Sequence, residues 1–241
     1  LFSLMQKIKQ YKFTKVYDLQ NSSRTSFYKR ILFPNTGSYK WSSSETTLPA
    51  NETKKEFDKK PVLERFDHQL KISGLKTFHT LKPDFSWGCS NIDKLISKYN
   101  LSDYILLFPF CSEHLQQKKW PYYDQLIKLI KQNHPNLKIV IAPGPDEIEK
   151  AKKLDAVSIL KEDKAISISE LAGLIKRSKF VVANDTGPAH MAAHLNVKGL
   201  SLFGSHTTAY KVSIERENFK AIQVSDLKNL SADKVFERLV F

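Results

Sequence analysis

Val181-Val182-Ala183-Asn184-Asp185-Thr186-Gly187-Pro188-Ala189-His190-Met191-Ala192-Ala193 is the stretch from which the fold can be read. An apolar run of strand length enters a polar turn, and small residues at helical spacing follow it. Each residue type has a physical use there. Gly187 lets a ligand approach the backbone closely. Pro188 suits a first helical turn, where its missing N–H costs nothing. The unpaired amides and the dipole of the helix start attract an anion, typically phosphate. Asp185 or Thr186 can cap the helix or hold a ligand hydroxyl, and His190 sits on the first turn beside the same anion. Ala192 and Ala193 let the helix pack close to a sheet. The alternative reading of the stretch is a well-capped helix with a buried histidine.

Outward from this turn, the chain alternates apolar strand-length runs with amphipathic segments. Strands are expected at Tyr104–Pro109, Leu137–Ala142, Val157–Leu160, Phe180–Ala183, Leu200–Phe203 and Ala221–Val224. Helices are expected at Pro121–His134, Asp146–Lys153 (capped by Asp146), Ser167–Arg177, Gly187–Leu195 and Ser231–Val240. Ser167 and Glu170 have capping-box spacing, and Ser231 caps the last helix. Repeated β-α units with fully apolar strands imply a parallel sheet covered on both faces. Such doubly wound sheets bind ligands beyond the carboxyl ends of their strands.

The first hundred residues are less regular. Leu1–Ile8 has helical apolar spacing, Val16–Leu19 reads as a strand and Ser22–Leu32 as a helix. Asn35–Asn51 reads as loop, Lys54–Leu70 as one helix, and Ile72–Trp87 as a linker. The chain opens on Leu1 rather than Met, from which we expect one or two elements to precede this sequence.

Composition narrows the function. The 241 residues are 41% hydrophobic and 26% charged, which excludes a disordered, collagen-like or coiled-coil chain. No apolar run approaches the ~20 residues of a membrane-spanning helix. Only Cys89 and Cys111 occur, so a disulfide framework is excluded and a reducing compartment is expected. The net charge of +13 divides into +9 over residues 1–100 and +4 over residues 101–241. That field favours anionic partners, although it also serves solubility alone. A nucleic-acid reading rests only on this charge and lacks any binding motif.

A second informative stretch is Pro109-Phe110-Cys111-Ser112-Glu113-His114-Leu115-Gln116-Gln117-Lys118-Lys119-Trp120-Pro121. It joins a strand to a helix and opens on the same sheet edge as Asp185. Lys118 can reach a diphosphate held at Gly187 as a point charge, or be half of a solvated lysine pair. Trp120 is expected to pack against the domain body.

Asp185-Thr186-Gly187-Pro188-Ala189-His190 with Ala192-Ala193 resembles the signature of family 9 glycosyltransferases, the heptosyltransferase family. Three further segments support this: Lys118-Lys119-Trp120-Pro121 (Lys-x-Trp-Pro), Asp18-Leu19-Gln20 with Ser23-Arg24, and Phe203-Gly204-Ser205. The resemblance implies an α/β fold of GT-B type, two Rossmann-like doubly wound domains with the active site in the cleft between them, the N-terminal one incomplete. It implies a partial acceptor-side domain over residues 1–98, a nucleotide-sugar-binding domain over 99–225 and a terminal helix over 226–241. It further implies inverting, metal-independent sugar transfer, with no cofactor, from a nucleotide donor such as ADP-heptose to a lipopolysaccharide-core or related glycan. By this resemblance Lys118, Asp185, Thr186, Gly187 and His190 hold the donor, with Ser112 as a loop hydroxyl and Arg24 toward an anionic acceptor. A cytoplasmic location, with peripheral contact at the inner face of the membrane, belongs to the same expectation.

The sequence departs from the family in places. The usual catalytic Asp would lie N-terminal to Leu1, so no base is assigned. Ser158 stands where some members carry a ribose-binding acid, with Glu162 nearby, and Pro109-Phe110 replaces Pro-Gly. His194 and His206 lie near the signature without an assigned role. A non-catalytic nucleotide- or glycan-binding relative remains the alternative.

Overall fold

The computed structural model describes residues 2–11, 13–33 and 40–240, and they fall into two compact units divided between Lys82 and Pro83. In the first, α1 (Phe2–Gln10) precedes β1 (Val16–Tyr17), α2 (Ser23–Leu32), β2 (Trp41–Ser42), α3 (Lys54–Phe57) and α4 (Val62–Ile72). β1 and β2 pair in parallel, Val16 with Trp41 and Tyr17 with Ser42. Ser22 caps α2 through a reciprocal pair with Thr25.

The expected single helix over Lys54–Leu70 is two. Pro61 has no N–H to continue the first, and it stands at the start of the second. The expected loop over Asn35–Asn51 contains β2, while 34–39 lie outside the described residues. β2 is hidden by a polar device. The buried Gln69 amide donates to Asp18 O (2.9 Å), Ser42 O (3.1 Å) and Ser42 Oγ (3.2 Å), and its Oε1 accepts from Asn21 Nδ2.

The second unit contains α5 (Asp93–Tyr99), β3 (Tyr104–Phe108), α6 (Tyr123–Asn133), β4 (Lys138–Ile141), α7 (Ile148–Ala151), β5 (Val157–Ser158), α8 (Ile168–Arg177), β6 (Phe180–Asn184), α9 (Gly187–His194), β7 (Gly199–Phe203), β8 (Phe219–Gln223) and α10 (Ala232–Phe236). Its six strands run in the order β5-β4-β3-β6-β7-β8, every pairing parallel.

Alternate residues feed two separate cores. Leu106, Phe108, Val140, Val181 and Ala183 pack with Leu174, Ile175 and the alanines of α9. Ile105, Leu107, Ile141, Val182 and Leu202 pack with Leu126, Ile127 and Ile130 of α6 and Val235 of α10. This is the doubly wound arrangement expected. Each fully buried aliphatic side chain contributes about 1.5–3 kcal/mol.

Several expected boundaries move. The domain limit at 98/99 is corrected to 82/83, because Ile92 and Leu95 enter the sheet core and tie α5 to the second unit. The separate helix over 226–241 is corrected likewise: α10 packs on α6 and belongs to this unit. Pro121 precedes the first turn of α6, whose N-cap is Tyr122. Asp146 caps nothing there; Glu147 Oε2 instead accepts the Gly144 N–H at 2.8 Å. Ser167 and Glu170 do form the predicted capping box, and Ser231 caps α10. No helix among the described residues is long and apolar enough to cross a membrane.

Candidate functional site

β6 ends at Asn184 and Asp185 follows it, both buried, and the turn they make is fixed from below. The Asn184 carboxamide oxygen accepts the backbone N–H of Trp120 at 3.1 Å. Trp120 is fully buried and donates its indole N–H to Leu230 O at 2.7 Å, so it does pack into the domain body. These bonds lock the segment after β3, which carries Lys118, onto the end of β6.

Asp185 is 4% exposed and has three basic side chains around its carboxylate. Lys118 Nζ donates to its Oδ2 at 2.6 Å. His206 Nε2 lies 3.0 Å from the same oxygen. His190 Nε2 lies 3.5 Å from Oδ1. Burial alone would raise this carboxyl's pKa. The hydrogen bonds of His190, Lys118 and His206, with the charge of Lys118, outweigh burial and hold it well below the usual carboxylate range.

Neither Asp185 nor Thr186 caps α9 with its side chain. Thr186 is the N-cap residue but makes no cap bond, and its hydroxyl donates back to Asn184 O at 3.2 Å. The helix start is therefore open: Gly187 is exposed, and a Cβ placed on it would meet nothing within 4 Å. Ala189, Ala192 and Ala193 are fully buried behind it, as the close packing of a small-residue helix requires.

Next to this helix start is a cavity of about 510 Å³ at the carboxyl ends of β3 and β4, walled by Phe108–Ser112, Ile141–Pro145, Glu147, Ala165–Ile168, Leu171, Thr186 and Pro188. Most of that wall is apolar or backbone, a common design for a small-molecule site. Ser112 and Thr186 both line it. Lys118, Asp185 and His190 form the ion cluster adjoining Thr186, so the structure brings five of the expected residues together around Gly187. Arg24 lies in the other unit, exposed on the first turn of α2. Ser158 and Glu162 are not on the cavity wall; Glu147 is the carboxylate found there. Among the described residues no cluster of three or more His, Cys, Asp or Glu is arranged to hold a metal ion.

Sequence reasoning missed three members of this site. Asn184 has the look of a simple turn residue in the sequence, and nothing in the sequence singles out Glu147. His206 was left without a role, yet it follows directly on Phe203-Gly204-Ser205. β7 lies beside β6, so the turn after β7 had to open near Asp185. That adjacency was the available signal.

An open parallel α/β sheet with an exposed helix start and an apolar cavity at its carboxyl edge is the class of α/β fold that takes ligands outside the carboxyl ends of its strands. The family model for glycosyltransferase family 9 (heptosyltransferase) matches residues 1–237, and the chain belongs to that family. Lipopolysaccharide heptosyltransferase 1 of Campylobacter coli is 29% identical over 114 residues, a match covering 44% of this chain and 33% of that relative. Among solved structures, E. coli heptosyltransferase WaaC with ADP superposes with a TM-score of 0.66 at 18% identity, over 98% of this chain and 75% of that one. E. coli ADP-heptose lps heptosyltransferase II gives 0.67 at 15% identity, over 98% and 78%. At these identities the superpositions speak for the fold, which is the GT-B fold expected.

Proposed function

We propose that this chain transfers a heptose-like sugar from a nucleoside diphosphate donor to a lipopolysaccharide-core or related glycan, with inversion and without a metal. The observation that carries this reading is the open start of α9 at Gly187, flanked by the Lys118 ammonium on one side and a nucleoside-sized cavity on the other.

In such a transfer the glycosidic bond to the diphosphate breaks, and negative charge grows on the departing oxygen. The Gly187 amide and the dipole of α9 are fixed in advance around that charge, which is how a preorganised site lowers a barrier, and the Lys118 ammonium stands beside them on Asp185. His190 lies on the same turn, 33% exposed. Asp185 acts from behind, holding the lysine and the histidines rather than facing the donor. The nucleoside fits the cavity beside Ser112 and Thr186. A carboxylate must take the proton of the acceptor hydroxyl, and no residue of this sequence is assigned that task. Arg24 is offered as a contact for an anionic group of the acceptor. The excess positive charge of the first hundred residues suits the same acceptor and a place at the cytoplasmic membrane surface.

Titration calorimetry with ADP tests the donor site directly. The chain should bind ADP, and Lys118→Ala should weaken binding about tenfold or more, the scale of one hydrogen bond to a charged group. Equal ADP affinity in the two proteins would remove Lys118 from the site.

A further inference from the structure

His206 is the member of the Asp185 cluster for which the donor site has so far supplied no task. Its side chain is 8% exposed. The ring stacks on Phe203 with centroids 6.1 Å apart and planes 13° from parallel, so its orientation is set by the end of β7. Nε2 meets Asp185 Oδ2 at 3.0 Å, while Nδ1 is buried and makes no hydrogen bond. The tautomer that satisfies the carboxylate carries its proton on Nε2 and donates it to Asp185.

Asp185 Oδ2 is thus shared between two donors of different character. Lys118 is on a flexible stem and 22% exposed; His206 is rigid and enclosed. A donor diphosphate at Gly187 competes with Asp185 for the Lys118 ammonium. His190 reaches only Oδ1, at 3.5 Å, so an Asp185 Oδ2 that lost Lys118 and had no other partner would be a buried unpaired charge with a large desolvation penalty, and the lysine would stay where it is. We propose that His206 is a positioning residue: it keeps the Asp185 carboxylate satisfied while Lys118 exchanges its bond to Asp185 for a donor phosphate oxygen. The exchange moves a hydrogen bond and breaks no covalent bond. This inference rests on the donor-site reading above.

The test is a double-mutant cycle on the full chain, with ADP and adenosine as the calorimetric probes and the thermal midpoint of every variant recorded. Wild type should bind ADP. His206→Ala should weaken ADP about tenfold and leave adenosine affinity unchanged, because adenosine makes no demand on Lys118. In a Lys118→Ala background the same His206→Ala change should have no further effect, since no exchange remains to be assisted. His206→Gln, which keeps an N–H to offer Asp185, should recover most of the lost affinity.

If His206→Ala costs the same with and without Lys118, or weakens adenosine equally, His206 is only part of the packing and the proposal is overturned. Failure of His206→Gln to recover affinity overturns it as well. If wild type binds no ADP at all, the donor-site reading fails and takes the proposal with it, an outcome distinct from the additive one.

Discussion

Gly187→Ala separates what the fold needs at the start of α9 from what a ligand needs. The residue occupies the first turn, after an extended Thr186 with φ −143° and ψ 168°, and its own φ lies outside the left-handed region. A Cβ there meets nothing within 4 Å. Alanine therefore fits, and by restricting the unfolded chain it should stabilise the protein by about 0.4–1 kcal/mol. In a chain of this size that is a rise in Tm of about 1–4 °C. The ligand meets the opposite situation. A phosphate oxygen accepting the Gly187 amide must approach to about 2.9 Å, and the new methyl group stands in the space it enters. Loss of one hydrogen bond to a charged group costs about 1.5–3 kcal/mol, or roughly ten- to a hundredfold in Kd. Thermal melting and calorimetric ADP titration on the same sample read both quantities. The reasoning is refuted if alanine leaves ADP affinity unchanged. It is refuted equally if affinity and Tm fall together, because the glycine would then be serving the backbone.

Asp185→Asn should destabilise the protein by about 1–3 kcal/mol near neutral pH, since the amide cannot accept from both Lys118 and the enclosed His206 as the carboxylate does. The carboxyl's folded pKa is depressed, so its contribution is complete above the unfolded value of ~3.9 and is lost as pH falls below it. Urea titrations from pH 6 downward should accordingly show a shallower acid loss in the variant than in wild type. The His194 imidazole is half-buried beside Arg216, and burial first, then the Arg216 charge, lowers its pKa to about 4. Its contribution to stability is full above the ordinary histidine value and disappears as pH falls through about 4; an NMR titration with a His194 midpoint near 6.5 would contradict this. Gly173→Ala should cost about 1–3 kcal/mol or more in urea unfolding, because the added Cβ falls 2.4 Å from Ser90 O and 2.9 Å from Ile92 Cγ2.

The second unit was legible because its strands announce themselves. Tyr104–Phe108 and Phe180–Asn184 are buried along their whole length, the pattern of strands in a parallel sheet covered on both faces. The helix start at Gly187 was legible from residue types alone. His206 was not, because its role depends on β7 lying next to β6, a fact of topology rather than of local spacing. The limit at 98/99 failed for a related reason. Leu95 and Ile92 look like any amphipathic pair until the core they enter is known. In the first unit β2 is only Trp41 and Ser42, and Ser42 is buried by hydrogen bonds rather than by hydrophobicity, so Trp41 alone carries an apolar signal too short to read as a strand.

Gln69 gives that first unit an unusual kind of cohesion. Two paired strands of two residues each are too little sheet to persist unaided. One carboxamide reaches from α4 to the chain after β1 and to β2 at once, binding Asp18 and Ser42 like a rung set between two rails. A leucine of similar bulk would fill the same space and hold neither rail. The small N-terminal sheet is thus cross-braced by a side chain, and selection for hydrophobicity at position 69 would loosen it rather than strengthen it.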